Sequence, residues 1–181
     1  MTQKINLSYL AYLFIAVLLS CFFHEFAHWI TGEILGNKMS MTMNGAAPIS
    51  GKYTEKWHGN IISIAGPAFT VAQAILFYFL LNKTKNSKLY AFFFFPFVYR
   101  LFAGIANVFE ANDEGRVGPY FGLGLYTISI ILSGFLLFLI IKVSVKHKLS
   151  LKFNLITFFL CAISLFLVVL ADQYFGLTII R

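Results

Sequence analysis

Runs of about twenty apolar residues, separated by short polar segments, dominate the chain and are long enough to cross a bilayer as helices. Five spans are predicted, over 7–35, 57–81, 89–109, 119–141 and 153–171. Gly36-Asn37 stops the first. Lys83, Lys85 and Lys88 mark the turn after the second, and Lys142, Lys146, Lys148 and Lys152 the turn after the fourth. Gly66-Pro67 and Pro96 interrupt the second and third helices, and the carbonyl each frees must find a partner in a neighbouring helix or a cavity. Asp172 ends the fifth span, and a short apolar tail runs on to Arg181.

The connection between the first two spans has a different period. Met39, Met41 and Met43 alternate with Ser40 and Thr42, and Asn44-Gly45 is a hairpin turn signal. A return strand is expected over 46–53, with Pro48 limiting where it pairs. The fold class is therefore an all-α polytopic membrane protein of about five transmembrane helices, with a short β-hairpin between the first two. No repeat, linker or low-complexity segment divides residues 1–181, so they form a single membrane domain.

Composition agrees. The chain is 59% hydrophobic and 12% charged, against about 45–50% and about 25% in soluble domains. The net charge of +7 resides in short connections suited to anchoring at anionic headgroups, so the bilayer rather than nucleic acid is the expected partner. Cys21 and Cys161 lie inside apolar runs and do not suggest a disulfide framework. Cys21 shares a helical face with His24, but a buried thiol is ordinarily a small hydrophobe. Lys4 and Leu18-Leu19-Ser20-Cys21 mimic a targeting signal; cleavage there would leave an apolar end, so the segment reads as a retained first span.

The candidate chemistry sits inside that span, as His24-Glu25-Phe26-Ala27-His28. Four residues advance a helix by about 400°, which puts both imidazoles on one face, one turn apart. They can grip one zinc ion, with Glu25 beside them as general base toward a water. Three ionisable groups within a lipid-spanning helix each cost roughly several kcal/mol unless compensated, and a metal compensates them. Catalytic zinc usually takes a third protein ligand. Alternating spans leave the first and third helices on the same face, which brings the acidic segment Glu110 to Glu114 toward His28. Asp113 is the leading candidate, with Glu110 and Glu114 as alternatives. Arg100, inside the third span, needs an acidic or carbonyl partner and is expected in a structural pairing. His58 is expected in solvent at an interface, with a spare-ligand role as the alternative. The methionine-bearing strand is either a surface cap or an edge that pairs with an extended substrate.

His24-Glu25-Phe26-Ala27-His28 in the first span, Asn60 with Ala65-Gly66-Pro67 in the second and a carboxylate after the third resemble the three-span core of the site-2 protease family, which are intramembrane zinc metalloproteases. The resemblance covers 7–115 and leaves 118–172 as an accessory helical hairpin. Thr70 stands where members often carry Asn, and Asn107 leads to Asn112-Asp113-Glu114-Gly115 without the two prolines of the family's third motif. The resemblance implies that Asp113 completes a Zn2+ site, that a membrane-associated strand presents substrate, and that the metal lies nearer the cytosol. The lysine distribution by itself leaves orientation open.

The expected activity is hydrolysis of peptide bonds in membrane proteins or membrane-associated peptides, with Glu25 as general base. Met41, Met43, Asn60, Gly66, Pro67 and Asn107 are the expected substrate-receiving positions, in a multi-pass protein of a bacterial plasma membrane. The alternative is a non-catalytic relative that binds a metal or a partner helix. A transporter relaying protons through His24 and Glu25 would instead hold no zinc.

Overall fold

The computed structural model describes Met1 and residues 3–181. Six helices and a hairpin follow in the order α1 (Leu7–Ile34), β1 (Met39–Met41), β2 (Ala46–Pro48), α2 (His58–Thr84), α3 (Leu89–Ala106), α4 (Asp113–Tyr120), α5 (Thr127–His147) and α6 (Leu151–Phe175). All but α4 are long and apolar enough to cross a bilayer, so the chain is a multi-pass membrane protein. Local chemistry sets their ends. Asn6 Oδ1 accepts from the Tyr9 amide at 2.9 Å to start α1, and Ser150 Oγ accepts from Phe153 at 3.2 Å to start α6. Gly176 closes α6 in the left-handed conformation, at φ 55°.

Burial runs opposite to that of a water-soluble protein. Ile130 (68% exposed) and Phe159 (60%) point outward from α5 and α6, as a lipid-facing surface requires, while His24, Glu25, Arg100 and Glu114 are buried. At one end of the bundle, α1, α3 and α6 pack around Tyr9, Leu13, Tyr90, Phe95 and Phe153. The phenols there are satisfied: Tyr9 pairs with Thr157 at 2.9 Å, and Tyr90 donates to Asn154 at 2.6 Å. Cys21 and Cys161 are free thiols in this apolar core. The polar side chains gather at the other end, where α1 and α3 finish and α2 begins.

Three details depart from the sequence expectations. The fourth span begins at Thr127, not near residue 119. The stretch before it forms α4 and a turn, because Gly122 and Gly124 take φ of 71° and 78° and cannot continue a helix. The return strand is only three residues long, pairing Met39 with Pro48 and Met41 with Ala46. Finally, the methionine face turns inward. Met39 and Met41 are fully buried, and Met39 lies so close over Gly32 that a Cβ there would overlap it.

The C-terminal tail, which carries no strand signal, explains the burial of Met41. The Met41 amide donates to Ile180 O at 2.9 Å and Met41 O accepts from the Ile179 amide at 2.8 Å. Asp172 holds the turn as well, accepting from Thr42 Oγ1 at 2.9 Å and from the Met43 amide at 3.0 Å. The outer edge of β1 is thus closed by the chain's own end.

Candidate metal centre

His24 and His28 project from consecutive turns of α1, and Asp113 reaches them from the first residue of α4. His24 Nε2 and His28 Nε2 are 3.1 Å apart, and Asp113 Oδ2 lies 3.2 Å from the first and 3.3 Å from the second. These atoms form a nearly equilateral triangle. A tetrahedral zinc with bonds of about 2.0–2.1 Å separates its ligand atoms by about 3.3–3.4 Å. The triangle therefore has the dimensions of one face of such a tetrahedron, and the three residues are a group able to hold a metal ion.

Tautomers sharpen this. His28 Nδ1 donates to Ile62 O at 2.6 Å. Thr70 Oγ1 donates to Gly66 O at 3.0 Å, which leaves its oxygen to accept from His24 Nδ1 at 3.1 Å. A neutral imidazole with its proton on Nδ1 presents only a lone pair at Nε2. Two lone pairs and a carboxylate oxygen then face one another with no hydrogen between them, an arrangement that calls for a cation.

The local charge agrees. Around the triangle three carboxyl groups, those of Glu25, Asp113 and Glu114, share one guanidinium, that of Arg100. An excess of acidic groups over basic ones in a low-dielectric interior favours a bound cation.

Every element near the site fixes part of it. Gly66 of α2 packs against both rings, and a Cβ there would collide with His28 Nε2 and His24 Cε1. Asn107 ends α3 and fastens the loop that carries Asp113: its Oδ1 accepts from the Asn112 amide at 2.7 Å and its Nδ2 donates to Ser129 Oγ at 3.2 Å. Gly115 is backed so closely by Asn107 that no side chain fits between them. Tyr99 lays its ring edge-on to His24, with centroids 4.9 Å apart, and donates to Glu25 Oε1 at 3.4 Å. Arg100 donates from Nη1 to Glu114 Oε1 at 2.9 Å, the acidic partner its position demands.

A cavity of about 340 Å3 opens onto His24, Glu25, His28 and Asp113. Asn44, Gly45 and Ala46 of the hairpin line it too, with Tyr53 and Arg116. Burial raises the Tyr53 phenol above its ordinary value, so it stays protonated and able to donate there.

The predicted positions divide. Glu25 and the triad converge on the cavity, and Gly66 supports the triad from behind. Pro67 lines a separate apolar groove on α2, and Asn60, in the first turn of α2, does not reach the cavity. Met41 and Met43 lie away from it, and Asn107 braces the α3–α4 loop. Glu110 is exposed, whereas Glu114 is buried against Arg100. His58 is buried, not solvated, with Nδ1 3.1 Å from Asn37 Nδ2; it anchors the segment after α1. Thr70, Tyr99 and the hairpin residues Asn44 to Ala46 were not singled out as site residues by sequence. Each enters through contacts between distant elements that leave no local pattern. Comparison with protein-family models, curated proteins and solved structures finds no match for this chain.

Proposed function

We propose that the chain is a membrane-embedded zinc metalloprotease of the site-2 protease type, cleaving peptide bonds in membrane proteins or membrane-associated peptides. The observation that carries this reading is the triangle of His24, His28 and Asp113 facing a cavity with Glu25 beside it. A zinc ion, when bound, supplies Lewis acidity to the attacking water and to the scissile carbonyl. The residues do the rest. His24 and His28 offer lone pairs locked in place by Thr70 and Ile62 O. Glu25 takes a proton from the water as its oxygen bonds to the carbonyl carbon, then returns that proton to the departing nitrogen as the C–N bond breaks. The products are a carboxylate and an amine. Tyr99 holds the Glu25 carboxylate in orientation.

Among the described residues, one strand edge is left open for a substrate to meet. Thr42 pairs with Gly45 and Lys38 with Ile49 through ladder hydrogen bonds, so the intervening Met41–Ala46 pair turns its backbone groups outward. Those of Met41 are taken by the tail, while those of Ala46, which lines the cavity, point along the other edge. An extended substrate therefore adds to β2, not to the methionine strand, and a transmembrane helix must unwind before it fits. Purified protein should contain zinc and cleave a membrane-tethered peptide, and Glu25→Gln should retain zinc while losing cleavage. Undiminished cleavage by that variant would contradict the mechanism.

A further inference from the structure

We propose that Arg100 is itself a catalytic residue, its Nη2 donating to the scissile carbonyl oxygen as that oxygen gains negative charge. The inference rests on the hydrolytic reading above and adds a group that the metal motif does not contain. Arg100 sits within α3, its side chain 1% exposed, yet its guanidinium lines the cavity beside the triad. A guanidinium needed only to neutralise Glu114 has no reason to border the ligand atoms. Here Nη1 lies 2.9 Å from Glu114 Oε1 and 3.6 Å from Asp113 Oδ2, and Nη2 lies 3.5 Å from His24 Nε2.

That last distance carries the argument. The His24 Nε2 lone pair belongs to the candidate metal site and is too far away for a good hydrogen bond. No oxygen acceptor occupies Nη2 among the described residues, and Arg100 lines the cavity onto which the triangle opens, where a reacting carbonyl would sit. The group is also preorganised: Glu114 holds one arm of the fork, and the neighbouring Tyr99 ring lies 4.6 Å from its central carbon. A fixed donor aimed at developing charge in a water-poor cavity is an arrangement worth roughly a hundredfold or more in rate. The two other side-chain donors that touch His24 or Glu25 are committed, Tyr99 Oη to Glu25 and Thr70 Oγ1 to Gly66 O.

Removing Arg100 alone would strand a buried Glu114, so the test replaces the pair. Arg100→Met/Glu114→Leu keeps the local charge sum and substitutes apolar groups for a buried ion pair, a change that proteins often tolerate. Expected are zinc stoichiometry and thermal stability like the wild type, kcat on a membrane-tethered peptide lowered by about 100-fold with KM little changed, and a similar loss of affinity for a phosphinic peptide, a tetrahedral anionic analogue. Should the double variant fold poorly, Arg100→Lys retains the Glu114 pairing but withdraws Nη2, and a kcat loss of about 10- to 100-fold is expected. Wild-type turnover and phosphinate affinity in either folded variant would overturn the role of Arg100 and leave the hydrolytic reading standing. A zinc-loaded wild type that cleaves no peptide would overturn both.

Discussion

Thr70 is the residue whose role is clearest from its two contacts. Its hydroxyl donates to Gly66 O and accepts from His24 Nδ1, which fixes both the ring plane and the tautomer of a candidate ligand. Partners of this kind are worth about 10- to 100-fold in metal affinity. Thr70→Val, nearly isosteric, should weaken zinc binding by about that factor in a competition titration with a chelator, while affinity unchanged from wild type would deny Thr70 this role. Glu25 makes the opposite prediction. If it acts as the proposed base and not as a ligand, its replacement by Gln should lower cleavage by roughly 100-fold or more and leave metal content unaltered. The motif exposed Glu25 at once in the sequence, because i and i+4 spacing is local. Thr70 could not be read that way, since its partner lies 46 positions away.

At the scale of elements, the site depends on how closely α1 and α2 approach. Gly66 is the contact point: Gly66→Ala would drive a methyl into two imidazoles, an overpacking that costs about 1–3 kcal/mol. The variant should show a lower melting temperature together with lost zinc, and a normal value of both would contradict the packing described here. The hairpin supplies a separate test. Ala46→Pro removes an outward amide without breaking a ladder bond, so KM for an extended substrate should rise with zinc unchanged; an unaltered KM would remove β2 as the docking edge.

The long spans were legible because about twenty apolar residues have few alternatives to a membrane helix. The eight-residue α4 was not, since a glycine-rich polar stretch carries little periodicity. Nor was the tail on β1, a single bridge across some 140 residues with no alternation to announce it.

Over the whole molecule, one end is an aromatic core and the other a polar centre in which three carboxyl groups share one guanidinium. Parity of the crossings was enough to bring Asp113 to the right face from sequence alone, because helices that alternate direction must return the third to the side of the first. Among Glu110, Asp113 and Glu114 the sequence favoured Asp113 but left the other two open, because the choice turns on where α4 begins. Chelation should destabilise the protein as well as inactivate it: without the cation the two imidazole lone pairs and the Asp113 oxygen face one another unbridged, and the melting temperature should drop and recover on adding zinc. The most direct test is the metal content of the purified protein, with X-ray absorption at the zinc edge to report the ligand atoms. One zinc per chain bound by two imidazoles and a carboxylate oxygen, and lost in both His24→Ala and Asp113→Ala, is the predicted result. A folded wild-type chain that takes up no metal, or one whose metal survives both substitutions, would contradict it.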